Sequence, residues 1–472
     1  MKQLGVVLLF LSALFVRAQN DMHANVNLQF RFVNPGARAQ AMGGSFIGVA
    51  DDTTAIFANP AGLTRMSSNT LVLEGNTTRR DNNIPFYAGR IDQVGLQDFD
   101  FNLESRDFPK STTNIPFLAY VHTPGRVKWG VFLAEQANFE RPFNTEGVGI
   151  PPPPVAEGIN RFISSNQLEF FPPSQNDIEL KLRSLGVSVG GKLSERVSVG
   201  ATLSFNDFTY HGTTTLFIPN IEALFPEFNF SPSQLAVLRP LYGMPFTFVN
   251  VDGDDQQIGV FAGLLFAPTD RFYAGVSYKR QPKFDYDYQI DGLDGDLQPL
   301  PTVTGVGSFD VPDNLGLGFS FQPVDVMILS VEVDRIFYSD LVDDFITFFD
   351  NDDDPSQITQ TIGDTTEYHL GFEYFFTQLK FPLALRAGYW YEPFHALQNT
   401  SLDTQILFRF LNQNEDYVQG SRQTVFLQRF EKDQNHLTFG LGFSFGRNLT
   451  LDFAGDVAEE TQSFSFSGIY RF

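Results

Sequence analysis

The chain of 472 residues has no Cys, which removes disulfides and thiolate metal sites together. Its formal charge of −23, with no basic patch, argues against nucleic acid as a partner. The 52 Phe and 15 Tyr are unusual for a soluble protein, and no linker or composition break divides the length into separate domains.

Met1-Lys2 is followed by an apolar run from Leu4 to Val16 and by Ala18. This is the pattern of an export signal, residues 1–18, with a cut near Ala18-Gln19. The run is too short for a membrane helix, which needs about 20 apolar residues. No Cys follows it, so a lipoprotein anchor is not expected.

Next comes Ala37–Leu63, rich in Gly and Ala, with paired acids at Asp51 and Asp52. It ends in Asn59-Pro60-Ala61-Gly62-Leu63. Asn before Pro and Gly two residues later predict a tight turn. Small side chains let backbone approach backbone, so this stretch is suited to packing inside something. Residues 19–68 are expected to form a plug, and residues 69–472 its container.

The same residues carry a family resemblance. GARAQAMGG, then VADDTTAIFANPAGL, resembles the N-terminal hatch of the FadL family of outer-membrane long-chain fatty-acid transporters. The resemblance implies that Asn59, Pro60 and Ala61 are the hatch motif.

From Thr70 onward the pattern has a period of two. Leu437, Phe439, Leu441, Phe443 and Phe445 alternate with His436, Thr438, Gly440, Gly442 and Ser444. Phe464, Phe466, Tyr470 and Phe472 alternate with Ser463, Ser465, Ser467 and Arg471. In a soluble sandwich the apolar face would be the core; in a membrane barrel it would meet lipid. Two features favour the barrel. The chain ends on an aromatic in the lipid-facing phase, Phe472, which resembles the insertion signal read by the barrel assembly machinery. Short and long connections also alternate.

About fourteen strands are predicted: 70–79, 116–123, 127–140, 178–192, 196–211, 256–267, 271–288, 313–322, 326–341, 361–376, 381–394, 435–446, 449–456 and 462–472. Tight turns carry Pro, Gly, Asn or Asp, as at Thr123-Pro124-Gly125-Arg126 and Gly446-Arg447-Asn448. In Ile178–Val189 the apolar positions change phase near Arg183-Ser184, and a β-bulge is the simplest expectation. After Leu133 the alternation decays at AEQANFE. The fold class is therefore all-β: a transmembrane antiparallel barrel with an N-terminal hatch in its lumen. Val311–Ser339, Leu383–Pro393 and His436–Ala454 resemble later hairpins of the same family, which is also 14-stranded. In that family the third strand is kinked and opens a lateral gap, which here would fall in Val127–Glu140.

No HExxH or GxSxG motif is present, so an enzyme is not expected, and no cofactor is implied. His436 falls in the lumen phase as a hydrogen-bonding residue. The other lumen-phase charges are Lys279, Glu332, Asp334, Glu373, Arg386, Glu392, Asp452 and Arg471. A carboxylate ligand would need a cation, and Arg386 is the preferred candidate. The alternative is an internal ion pair of Arg386 with Glu373 or Glu392 that holds the hatch. Gly212–Asp255 is the most apolar predicted loop, with a short helix expected in Ser233–Tyr242. Phe225, Phe228, Leu235, Leu238 and Leu241 either form an outer groove for an acyl chain or pack together as a cap. The acidic clusters Asp252–Asp255, Asp291–Asp296 and Asp350–Asp354 either hold divalent cations that bridge to lipopolysaccharide or are solvated tips. Pro151–Pro154 is expected to be a stiff spacer.

The expected function is passive, hatch-gated uptake of long-chain fatty acids or other hydrophobic compounds, such as alkanes or monoaromatics, through the outer membrane of a Gram-negative bacterium. Two rivals stand beside it. One is a barrel component of a protein-secretion or shuttle system; the other is an open polar porin.

Overall fold

The computed structural model describes residues 34–87, 89–90, 92–94, 98–100, 103–146, 148–150, 169–224, 230–293, 297–342, 360–395, 398–399 and 433–472. The expected export signal, Phe225, Phe228, Pro151–Pro154, Asp294, Asp296 and Asp350–Asp354 lie outside the described residues.

The main sheet has 16 strands, of which fourteen close into an antiparallel ring. They are β1 Thr70–Tyr87, β2 Leu103–His122, β3 Val127–Thr145, β4 Ser174–Lys192, β5 Val197–Phe217, β6 Pro245–Thr269 and β7 Phe272–Arg280. The second half is β8 Asn314–Val324, β9 Met327–Ile336, β10 Thr365–Phe376, β11 Leu383–Glu392, β12 Gln434–Phe445, β13 Leu449–Val457 and β14 Thr461–Arg471. Chain neighbours pair, and β1 pairs with β14 from Thr70↔Arg471 to Arg80↔Thr461 to close the ring. Closure joins the first strand to the last, as a sheet in lipid requires.

Period-two alternation is the physical origin of this shape. Phe439, Leu441, Phe464, Phe466 and Tyr470 point outward and are exposed, while Ser463, Ser465, Ser467 and Thr438 point inward and are buried. Against lipid each such Leu or Phe is worth roughly 1.5–3 kcal/mol relative to water.

Three expectations are corrected. β4 has no bulge: its burial alternates without a break from Ser174 to Gly190, and its register against β5 is continuous. The apolar side chains themselves change face. Leu185, Val187 and Val189 look out, whereas Ile178, Leu180 and Leu182 look into the lumen. Second, the strands run past the predicted loop starts, so β5 and β6 stay paired up to Phe217↔Pro245 and the loop between them is only 218–244. Third, the predicted strand 271–288 is broken at Gln281-Pro282. Pro282 cannot donate to the ladder. Beyond it, Lys283–Gly292 and Val303–Asp310 form a separate hairpin against the upper half of β6.

Candidate functional site

Residues 34–66 lie inside the cylinder and are almost wholly buried. They form helix α1 (Ala37–Ala41), helix α2 (Ala55–Ala58) and a 3₁₀ turn, Pro60–Arg65. Glutamates on three strands hold this hatch. Glu74 of β1 accepts from the Gly36 N–H (2.7 Å). Glu332 of β9 accepts from the Phe46 and Ile47 N–H groups (2.7 and 2.6 Å). Glu373 of β10 accepts two hydrogen bonds from Arg38 (3.0 and 2.7 Å). A backbone N–H away from water costs free energy unless paired, so the carboxylates satisfy what the irregular hatch leaves open. On β10 as well, His369 Nδ1 donates to the Gly43 carbonyl (2.7 Å).

Arg38 also reaches Asp51 and Asp52, at 2.6 and 3.0 Å. Burial works against its charge, but Asp51, Glu373 and Asp52 outweigh it and raise the guanidinium well above its ordinary value. Burial likewise penalises Asp51, yet Arg38 and Arg65 hold its carboxyl below the usual range.

Asn59 is buried and makes three contacts. Its side chain donates to the carbonyls of Ile47 and Leu264 (3.1 Å each) and accepts from the Ala61 N–H (3.2 Å). Pro60 follows at the first position of the 3₁₀ turn, where its missing N–H does no harm. The wall is shaped to receive this turn by Gly190, Gly200 and Gly263, which neighbour one another on β4, β5 and β6. A Cβ on Gly263 would stand 2.2 Å from Asn59 Oδ1, and one on Gly200 2.3 Å from the Pro60 carbonyl carbon.

Arg386 of β11 is buried and bound to Glu373 (2.6 Å) and Asp452 (2.7 Å). Glu392 instead meets His436 Nε2 (3.1 Å), while His436 Nδ1 meets Asp456 (2.8 Å). Trp390 lies stacked between the rings of His436 and His369, at 3.7 and 5.6 Å.

Toward the loop end, the lumen turns apolar. Phe143, Leu180, Phe208, Tyr210, Phe284 and Tyr286 belong to one buried cluster that reaches Ile336 and Tyr338 across the cylinder. Phe208 stacks on Phe284 at 4.6 Å, and Tyr210 meets Tyr286 edge-on at 5.5 Å. Outside it sits a helix, α3 (Pro232–Leu238), whose capping box joins Ser231 and Gln234. Leu238 is buried with Leu216, Ile218 and Phe246, and Leu241 packs against them half-buried; Leu235 is half-buried too.

Among the described strand pairs, β2 and β3 form a weak seam. β2 and β3 pair only from His122↔Trp129 to Phe117↔Ala134. Both strands continue for many residues beyond, each paired on its other side. At this level β2 has a register shift opposite Glu74–Asn76, near Ile115-Pro116, and β3 has one at Glu135–Ala137. Bulges bend strands and interrupt ladders. Above Phe117 and Ala134 the seam is bridged by side chains: Asn114 with Glu135, Lys110 with Glu140, and Phe108 against Phe143 with ring centres 6.5 Å apart.

Residues 176–406 match the model of the family described as outer membrane protein transport protein (OMPP1/FadL/TodX). Over that stretch the chain resembles the family, and its fold is that of a FadL-type barrel. Among solved structures it is similar to a Pseudomonas aeruginosa FadL homologue, with 16% identity, a TM-score of 0.57, and coverage of 94% of this chain and 99% of that one. It is similar at the same identity and coverage to the CymD monoaromatic hydrocarbon channel (TM-score 0.56) and to the Ralstonia pickettii toluene transporter TbuX (TM-score 0.52). At such identity these likenesses speak for the fold. A comparison with curated proteins gives no significant match. The barrel fold and the family description together place the protein in the outer membrane of a Gram-negative bacterium, and the matched family is described as one of transport proteins.

The residues singled out in the sequence are thus scattered over three places. Asn59, Pro60 and Ala61 lie at the hatch–wall contact, Arg386 lies within the lumen ion network, and Leu235, Leu238 and Leu241 lie at the outer helix. Phe472 stacks on Tyr120 of β2 at 6.1 Å and is exposed on the outer face. Sequence reasoning missed the aromatic cluster of the upper lumen and Glu135. For the first, the change of apolar face along β4 was the available signal.

Proposed function

We propose that the barrel carries hydrophobic compounds passively from the outer helix region, through the aromatic upper lumen, to the seam between β2 and β3, while the hatch obstructs the straight path. The supporting observation is the end of β2–β3 pairing at Phe117↔Ala134 beside a lumen filled by residues 34–66. Where neighbouring strands are laddered, backbone bonds would have to break for a molecule to leave sideways, at about 0.5–1.5 kcal/mol net per bond. At the seam only side chains must part. The apolar cluster around Phe208 and Phe284 supplies a partition site of low polarity, and apolar ligands gain free energy in proportion to area removed from water.

The solved relatives named for monoaromatic hydrocarbons and toluene support a small hydrophobic ligand. The terminal Phe472, in the lipid-facing phase, is proposed as the segment read by the assembly machinery, and the exposed Asp252 and Asp254 as contacts to cation-bridged lipopolysaccharide. Uptake of a radiolabelled hydrophobic compound by a Gram-negative host lacking its own channel tests the function. Entry above the empty host is expected; entry equal to it would refute the proposal.

A further inference from the structure

We infer that the seam between β2 and β3 selects uncharged hydrophobic molecules over carboxylates, and that Glu135 is the specificity-determining residue. This rests on the uptake function proposed above and names its substrate class.

Two cavities meet at the seam. The inner one, about 200 Å³, lies between the hatch at Asn34–Pro35 and Gln40 and the walls of β1, β2 and β3. The outer one, about 640 Å³, is a cleft on the lipid-facing side, bordered by Ile115, Leu133, Leu185, Phe205 and Ile258. Among the described residues, Glu135 is the only one that lines both. A molecule passing from lumen to lipid must therefore pass this carboxylate.

Glu135 is fixed in that place. Asn114 of β2 and Asn138 of β3 donate to its Oε1, the second at 2.8 Å. Its side chain is 7% exposed, while its cationic neighbour Arg183, 3.3 Å away, is 62% exposed on the outer rim. An exposed ion pair compensates charge weakly. The negative charge is therefore not cancelled from the lumen side. The inner cavity adds Glu140 and Asp456 against Arg80 and Lys110, with Lys110 bound to Glu140, so it brings no surplus of positive charge to offset Glu135. Deeper in the lumen, Arg38 and Arg386 are already held by carboxylates of the hatch and wall. A carboxylate arriving at the seam meets like charge at close range in a poorly solvated passage, where such repulsion is stronger than in bulk water. An uncharged molecule meets the same lining, apolar at Pro116, Ala137 and Leu133 and polar but neutral at Asn114, Gln136 and Asn138, without the charge repulsion.

The test compares initial uptake of radiolabelled 1-dodecanol and dodecanoate at neutral pH in the channel-deficient host. The two probes share chain length and differ in head-group charge. The wild-type protein is expected to favour the alcohol. Glu135→Gln keeps the hydrogen bonds from Asn114 and Asn138 and is expected to raise dodecanoate entry by about tenfold, the order expected for removal of one nearby like charge. Dodecanol entry should stay within about twofold, and Glu135→Asp should retain the preference. Heat-modifiable mobility of each variant confirms an assembled barrel. Equal entry of both probes through the wild type, or an unchanged ratio in assembled Glu135→Gln, would overturn the inference. Entry of neither probe would instead remove the uptake function on which it rests.

Discussion

Phe117 and Ala134 are the last partners through which β2 and β3 pair, and both strands run on past them. Above that pair the strands are bridged by side chains: Asn114 to Glu135, Lys110 to Glu140 and Phe108 to Phe143. The hatch lies just inside. These relationships give specific expectations.

The Asn59 side chain is the hatch's donor to the wall carbonyl of Leu264 and to Ile47 within the hatch. Asn59→Ala leaves the buried Ile47 carbonyl without that donor, at roughly 1–3 kcal/mol, and removes the link to the Leu264 carbonyl on the wall. The hatch should loosen while the barrel still assembles. Planar-bilayer recordings should then show steady ion current where the intact protein shows little, and ligand uptake should fall. Failure of the variant to migrate as a heat-modifiable barrel would make Asn59 a residue of assembly alone.

Gly263→Val makes the complementary change on the wall. Its added Cβ would stand 2.2 Å from Asn59 Oδ1, far inside contact distance. The hatch must then shift, and residues 34–66 should become open to limited proteolysis in assembled protein. Protection unchanged from wild type would show that the wall yields instead.

Arg386→Met tests whether that arginine is structural. It would leave buried Asp452 without its bonded cation and Glu373 with Arg38 alone, and breaking a buried pair typically costs about 3–5 kcal/mol. The temperature of heat-modification should drop. A variant of normal stability that had lost ligand retention would support a head-group role for Arg386 instead.

Removing Phe472 should lower the yield of assembled barrel, because its ring covers Tyr120 and its N–H bonds to the Asn69 carbonyl where the ring of strands closes. Normal insertion would contradict the role proposed for the last strand.

The strand count and the lipid face were legible in the sequence because a pleated strand puts alternate side chains on opposite faces. The same rule misled at Ile178–Val189. There the backbone keeps its phase, and the apolar side chains cross from lipid to lumen as β4 leaves the hydrophobic belt. Pattern alone cannot separate a shifted backbone from a changed environment. The decay of alternation after Leu133 did mark a real register shift, at Glu135–Ala137. The Asn59 motif was visible, but its receptor was not: Gly190, Gly200 and Gly263 are spread over three strands, and only ring closure brings them together. For Arg386, charge type and lumen phase were readable, while the choice among partners depended on register against β10 and β12.

The central claim is that cargo leaves between β2 and β3. Because the chain has no Cys of its own, a double variant, Lys110→Cys with Glu140→Cys, joined through disulfides by a bis-methanethiosulfonate linker long enough to replace the two side chains, places a removable lock across the seam at an ion pair that already joins the strands. Uptake of a labelled neutral hydrophobic compound, measured before and after reduction, decides the matter. The oxidised barrel is expected to lose most uptake and to regain it with a reducing agent; a fully cross-linked barrel that transports at the reduced rate would contradict the lateral route.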